Sequence, residues 1–532
     1  MNGFSLGRLA RRGVTGHARS HAAVAAGVAL ASAVLVGALL VGASVRSSLR
    51  GLAIESLGRV THAIAPPAPF GEDLADRVKG GADASAVLVA PATLSHSRGG
   101  AVRRASGVTL LGVDGRFGQL AGDETPGPVG EGAIDGLVLT RALAAELGVA
   151  AGDEVVVRST IASALPSDSP LGEKADTVGS TRLPVQAVVP PRGLMRFAMR
   201  ASQSEPRNAL APLAVVQRLT DQPGRANLLL TAGEPASVRP TLGDLGLSLD
   251  AVRPGVWQLE SQQLVLPTAV VAAARDAWRG QPIAEANTYL ANTLRVGDRS
   301  VPYSTVTAVS LPEGDAAEPS PFPPGTTPPG EGEVVLNRWA ADRLGARIDD
   351  EVALRFYEPE STHGVLREAP PVTLRLSAIV DLASETGTPT AAADPRLTPT
   401  LNGVTDAESI ANWDLPFELV EPIEDADEAY WDKHATTPKA FVAPELAERL
   451  WSSRWGVTSL VRIAAPDASA EELGAALLNS LPPADVGFEP IALRRRTLDA
   501  SSGSTPFDVL FLLFSGFLIG SALLLIALLA WL

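Results

Sequence analysis

Few groupings of side chains in this sequence have the types and spacing to do chemistry, and each has a plainer reading. The densest is acidic: Glu424, Asp425, Asp427, Glu428 and Asp432. Carboxylates crowded in this way could hold calcium. The run lacks the glycine and the ligand spacing of an EF-hand loop, so a solvated acidic loop is the expectation. Asp153/Glu154 and Asp350/Glu351 pair carboxylates as acid–base catalysis would. They recur at equivalent positions of an internal repeat, which argues for turn residues instead. Ser361-Thr362-His363 sets hydroxyls beside an imidazole, but no nucleophile elbow surrounds them. The histidines (His17, His21, His62, His96, His363, His434) are scattered, with no pair at metal-motif spacing. There is no cysteine, which excludes disulfides and thiolate metal sites. No G-x-x-x-x-G-K-[ST] occurs, so any ATP hydrolysis belongs to a partner. No catalytic, cofactor or metal site is expected, and the chain reads as a non-enzyme. A net charge of −15 argues against nucleic acid as a partner.

The elements that must position these residues begin with an uncharged run, Ala22–Val45. At about 1.5 Å per residue it is long enough to cross about 30 Å of hydrocarbon as a helix. Leu49, Leu52, Ala53 and Leu57 continue the helical spacing, so a stalk is expected to lead out of the bilayer. A second uncharged run, Val509–Leu532, closes the chain, with Asp508 at its mouth as an interfacial cap. Arg8, Arg11, Arg12 and Arg19 precede the first span, against Arg46, Arg50 and Arg59 after it. That asymmetry favours a cytoplasmic N-terminus, although Arg494, Arg495 and Arg496 on the far side count against it. A signal peptide cut near Val41-Gly42-Ala43 is the alternative, but the apolar run exceeds a usual signal core of about 7–15 residues. Residues 1–21 are basic and partly amphipathic, a frayed tail or a helix on the membrane surface. Small residues spaced four apart, Ala33/Gly37, Ala38/Gly42 and Gly516/Gly520, are candidates for close helix packing.

Between the apolar runs lies an internal repeat. GLVLTRALAAELGVAAGDEVVVR (136–158) aligns without a gap on EVVLNRWAADRLGARIDDEVALR (333–355). The pattern is strand, helix, glycine stop, turn, strand, with Leu143 and Leu147 facing a core and Gly148 as a left-handed cap. LPVQAVVP (183–190) and LRLSAIVD (374–381) follow as strands. ALAPLAVVQRL (209–219) and AFVAPELAERL (440–450) follow as helices. NLLLTA and SLVRIAA are later strands. Upstream, AVLVAPATL (86–94) pairs less clearly with ANTYLANTL (286–294). Polar loops follow the same strand in each copy, at 159–182 and 358–371, and are expected to project as hairpin tips. Residues 312–332 form a Pro-rich loop, and the second copy carries a long insertion, 383–437.

The order and placement of these pieces resemble the MacB/FtsX-type permeases of ABC transporters, including the lipoprotein-releasing members. The likeness is carried by VLVGALLVGASVRSSLRGLAIESLGRV, by the two VLT…GDEVVVR and VLN…DDEVALR units with their following strands, and by PFDVLFLLFSGFLIGSALLL. Thr437–Gly456 and Tyr289–Val309 look like a longer subfamily. The resemblance implies a permease subunit of the plasma (inner) membrane, multi-pass, working as a homo- or heterodimer with an ABC ATPase subunit. It implies mechanical coupling of that ATPase to an outer domain, and export or extraction of a hydrophobic or lipidated substrate. The family has further helices beyond the second, so the chain is expected to be a truncated or split permease. A membrane-anchored extracytoplasmic binding or scaffold protein without ATP coupling is the second reading.

The expected fold class is therefore α+β: two repeated mixed α/β units, MacB periplasmic-core-like, between two transmembrane helices. The expected segments are 1–21 cytoplasmic, 22–45 first span, 46–79 stalk, 80–250 first unit, 251–279 connector, 280–490 second unit, 491–508 return stalk and 509–532 second span.

Overall fold

A computed structural model describes residues 6–78, 83–161, 178–200, 204–311, 320–323, 325–360, 366–401, 403–413, 415, 419 and 421–501, with scattered positions between 513 and 528. Two helices come first, α1 (Leu6–Gly16) and α2 (Ala18–Leu57). Residues 22–57, the expected first span and the start of the expected stalk, form one continuous helix within α2, whereas the rest of the expected stalk holds short strands at His62–Ile64 and Phe70–Gly71 instead of continuing that helix. The helix stops at Gly58, which takes φ +52° and leaves no room for a side chain: a Cβ would lie 2.7 Å from the Leu120 carbonyl oxygen. Val28, Leu30, Val36, Leu40 and Val41 are exposed along α2, whereas Leu57 at its end is 1% exposed. Among the described residues no helix is long and apolar enough to cross a membrane. Several side chains in the first apolar run, Asp508 and most of 509–532 lie outside the described residues.

The repeat folds as two sheets that each close on themselves. Strands β1 (His62–Ile64) and β2 (Phe70–Gly71) lead into β3 (Ala84–Arg98) and β4 (Ala101–Val113). Then come α3 (Gly115–Gln119), α4 (Pro128–Glu131), β5 (Leu137–Thr140), α5 (Arg141–Leu147), β6 (Glu154–Thr160), β7 (Val178–Val189), β8 (Asn208–Pro212), α6 (Leu213–Leu219), β9 (Arg225–Ala226) and β10 (Leu228–Thr231). The order is β1-β10-β3-β4-β8-β5-β7-β6, and β6 returns to pair with β3. Closure is possible because β3 is long. Its first residues pair with β10, while Ala92–Ser95 pair with β6.

The second unit repeats this plan. Its elements are β11 (Leu247–Arg253), β12 (Val256–Ser261), α7 (Thr268–Ala277), β13 (Ile283–Val296), β14 (Arg299–Ser310), β15 (Glu333–Asn337), α8 (Arg338–Leu344), β16 (Glu351–Phe356) and β17 (Val372–Val380). They continue with α9 (Asp425–His434), β18 (Ala440–Val442), α10 (Pro444–Trp451), β19 (Leu460–Ala464), α11 (Ala470–Ser480) and α12 (Leu493–Ser501). The order is β11-β12-β19-β13-β14-β18-β15-β17-β16, closed by β13 with β16. The hairpin β11–β12 straddles the expected boundary between first unit and connector, and through β12 it pairs with β19. The upstream match is real: Ala86 pairs with Leu229 in β10, and Ala286 with Leu460 in β19.

Local sequence explains the common plan. Thr140 and Asn337 cap α5 and α8 by accepting from the amides of Leu143 and Ala340. Gly148 and Gly345 end them in the left-handed region, at φ +69° and +63°. The stretches 209–219 and 440–450, expected as helices, begin instead as β8 and β18. Proline sets the switch: Pro212 is extended at the start of α6, and Pro444 forces Ala443 out of the helical region before α10.

Each barrel has its own core. Leu94, Leu110, Leu139, Val157 and Val185 pack with Leu143 and Leu147 in the first. Leu294, Val306, Leu336, Leu354 and Leu376 pack with Leu344 and Trp451 in the second. Each buried aliphatic side chain contributes about 1.5–3 kcal/mol.

Candidate functional site

The two barrels differ at one buried position. Leu139 pairs with Ala209 and Leu336 with Ala440, so Asn208 and Lys439, one residue earlier, are equivalent. Asn208 is satisfied: its amide donates to the carbonyl oxygens of Met195 and Phe197, at 3.1 and 2.8 Å. Lys439 is 3% exposed and donates to the Pro302 carbonyl oxygen at 3.2 Å. Its ammonium lies 5.1 Å from the Trp339 ring centre and 5.2 Å from that of Tyr430. No ion pair involves it among the described residues. Burial pushes its pKa down to about 8, with Arg343 acting in the same direction and buried Asp427 against it.

Lys439 lines a partly open cavity of about 140 Å³ in the second unit. All four tyrosines of the chain, Tyr289, Tyr303, Tyr357 and Tyr430, line it. So do Trp413, Trp431, Trp451 and Trp455, out of eight tryptophans. Tyr289 stacks on Trp451 with centroids 5.2 Å apart and planes at 6°, and its hydroxyl donates to the Tyr357 carbonyl at 2.8 Å. Trp413 meets Trp431 edge to face at 5.1 Å. Tyr430 is fixed at both ends of its hydroxyl: it accepts from the Asn337 amide and donates to the Thr437 carbonyl, both at 2.9 Å. Burial raises the pKa of the Tyr289 and Tyr430 hydroxyls, keeping both neutral.

The insertion 383–437 supplies one wall. A buried guanidinium clamps it in place. Arg462, 2% exposed, pairs with Asp394 at 2.8 Å and donates to Gln258 at 2.5 Å. Gln258 in turn donates to the Arg396 carbonyl. Arg396 donates to the Ala251 carbonyl on β11. Burial lowers the pKa of Arg462, and Asp394 opposes that shift.

The residues singled out in the sequence sit elsewhere or in other roles. Asp153 and Asp350 are turn residues, accepting from the amides of Ala150 and Arg347 at 2.8 and 2.7 Å. Glu154 and Glu351 are exposed. The acidic run is not a solvated loop. It starts α9, where Glu424 and Asp427 form a reciprocal capping box. Asp427 is 1% exposed, and Glu428 accepts from the amides of Ile410 and Ala411. Ser361, Thr362 and His363 lie outside the described residues. Of the packing candidates, Ala33, Gly516 and Gly520 are exposed, Gly37 is half-buried and Gly42 is buried. A Cβ added at Gly37, Gly516 or Gly520 would meet nothing within 4 Å in this chain.

No protein-family model matches the chain, and no curated protein matches it. Among solved structures it is similar to the periplasmic region of MacB from Actinobacillus actinomycetemcomitans. The match covers 45% of this chain and 85% of that one, at 9% identity and a TM-score of 0.21. That likeness is too distant to carry a fold or a function across.

Proposed function

We propose that this chain is a non-enzymatic permease subunit of an ABC transporter, held by apolar helices at its two ends, with the paired barrels outside the plasma membrane. The supporting observation is where the two ends of the domain meet. Ile491, just before α12, exchanges backbone hydrogen bonds with Ala63, at 2.8 and 3.0 Å. The backbone amide of Arg494 donates to the Thr61 carbonyl at 3.1 Å. Leu57, closing α2, and Leu493, opening α12, share one core. The two helices that bracket the domain therefore leave it side by side. A rigid pair of this kind transmits displacement without a catalytic group. The exposed Leu and Val side chains of α2, and exposed Leu513, Phe517, Leu523, Leu524, Leu525 and Leu528, suit contact with lipid. The sequence pattern of the MacB/FtsX permeases supports the same reading, with an ABC ATPase and a second permease as partners and a hydrophobic or lipidated substrate.

The absence of cysteine makes the test direct. One cysteine is placed in residues 46–57 and one in 493–501, in membranes that also carry the partner ATPase and a second permease. Crosslinking yield should change when a non-hydrolysable nucleotide is added, and identical yields would remove the coupling. Cysteines introduced beside Asp153 and Asp350 should react with an impermeant maleimide on intact cells, and protection there would overturn the outside placement. A second reading, an anchored binding protein without ATP coupling, is favoured by the aromatic cavity and predicts outside labelling with unchanged crosslinking.

A further inference from the structure

We infer that the cavity of the second barrel is a binding site for a small carboxylate with an apolar body, its anionic oxygens meeting the Lys439 ammonium and its body packing on the aromatic wall. The site is independent of whether the chain couples to an ATPase.

Three observations carry this. The first is unmet donor capacity. Lys439 can donate three hydrogen bonds and makes one among the described residues, to Pro302. Buried donors without acceptors cost about 1–3 kcal/mol each unless something completes them. A lysine that lines a cavity with donor capacity to spare calls for an acceptor-rich guest. The second is shape. An apolar cavity of about 150 Å³ is known to take benzene, and this one, at about 140 Å³, is faced by rings that suit a flat or short-chain body. The third is the comparison within the chain. The first barrel fills the equivalent position with an asparagine whose side-chain amide donates to the Met195 and Phe197 carbonyls. A structural role at this position thus needs no charge. A buried ammonium is the costlier choice, and a guest carboxylate offsets that cost.

The surroundings set the sign of the pH dependence. Asp427 and Tyr430 face Lys439 from α9, and Arg343 and Trp339 from α8. His434 packs on Tyr430 at 5.0 Å, and burial lowers its pKa. Asp427 is engaged through one carboxylate oxygen with the Glu424 amide. Arg343 pairs outward with Glu424 at 2.6 Å. Lys439 carries its charge below about pH 8 and loses it above. An anion should therefore bind more weakly as pH rises through that value.

The test is calorimetric titration of the full chain in detergent with phenylacetate and hexanoate, each beside its neutral amide, phenylacetamide and hexanamide. Near neutral pH one carboxylate should bind about tenfold tighter than its amide. Whichever acid prevails identifies an aromatic or an acyl guest. In Lys439→Gln the preference should vanish while the amide still binds. In the wild type it should vanish at about pH 9.5. Equal binding of acid and amide in the wild type near neutrality, or a preference that survives in a folded Lys439→Gln protein, overturns the assignment, as does no binding of any probe at millimolar concentration. If Lys439→Gln loses its cooperative melt, the wild-type pH series decides: a preference that persists at the alkaline end refutes the role of Lys439.

Discussion

The guanidinium of Arg494 donates to the carbonyl oxygen of Gly58, across 436 residues of sequence. This contact joins the first turn of α12 to the glycine that caps the end of α2. It lies where Leu57, Val60 and Leu493 share a core with Phe117 and Leu120.

Gly58 is the less replaceable partner. Its φ of +52° disfavours any side chain, and the Leu120 carbonyl and Gly122 amide block a Cβ at 2.7 and 2.9 Å. Gly58→Ala should cost about 1–3 kcal/mol, and Arg494→Met about 1 kcal/mol. Thermal melts of both variants check the ranking. A Gly58→Ala protein as stable as the wild type would refute it.

The chain between the barrels is held by Asp244, 2% exposed, which accepts from Gly71, Thr241 and Arg77 at 2.7–2.9 Å. Burial alone would push this carboxyl up, but Arg77, Thr241 and Gly71 outweigh it and hold its pKa below the ordinary range. A carboxyl depressed in the folded state contributes stability that is complete above its unfolded value of about 4. That contribution is lost as pH falls through the folded value. The denaturation midpoint should therefore drop on acidification below about pH 4, and the slope should flatten in Asp244→Asn. Parallel slopes would show that Asp244 does not carry the effect.

The clamp on the insertion predicts an asymmetry. Asp394→Ala leaves Arg462 charged and buried without its carboxylate, and should cost about 3 kcal/mol. Arg462→Met removes the charge that needed the partner and should cost less. Chemical denaturation of the two variants decides. The reverse order would mean that the ion pair adds more than the desolvation of Arg462 removes.

Thr140→Ala and Asn337→Ala remove equivalent caps. The first should cost about 1 kcal/mol. The second should cost more, since the Asn337 amide also donates to Tyr430 and to the Pro438 carbonyl, at 2.9 and 3.0 Å. The caps sit in separate barrels, so the double variant should be additive within about 0.5 kcal/mol. A larger discrepancy in the double-variant melt would reveal coupling between the barrels.

The duplicated frame was legible because its signals are local. A β-branched run, a cap, an i, i+4 leucine pair and a stopping glycine each act within a few residues, so Gly148 and Gly345 read correctly. The strand starts at Asn208 and Ala440 were missed because a short apolar run before proline has no helical or strand period of its own. The acidic cluster reads as a loop by charge density alone, whereas the spacing of Glu424 and Asp427, three apart, is that of a helix start. The cavity leaves no local signal in the sequence. Its walls come from residues 263 to 459 and meet only through barrel closure. One clue was available, the confinement of every tyrosine to residues 289–430.

The route of the chain has an evolutionary side. It leaves the first barrel after β10, builds the whole second barrel, and comes back beside its point of departure, where Phe70 and Phe488 meet edge to face at 6.2 Å. The second barrel is thus a passenger on the first, borrowed and returned at a single doorway. Selection could exchange such a module, lysine and all, for one with another appetite without disturbing the rods that carry it.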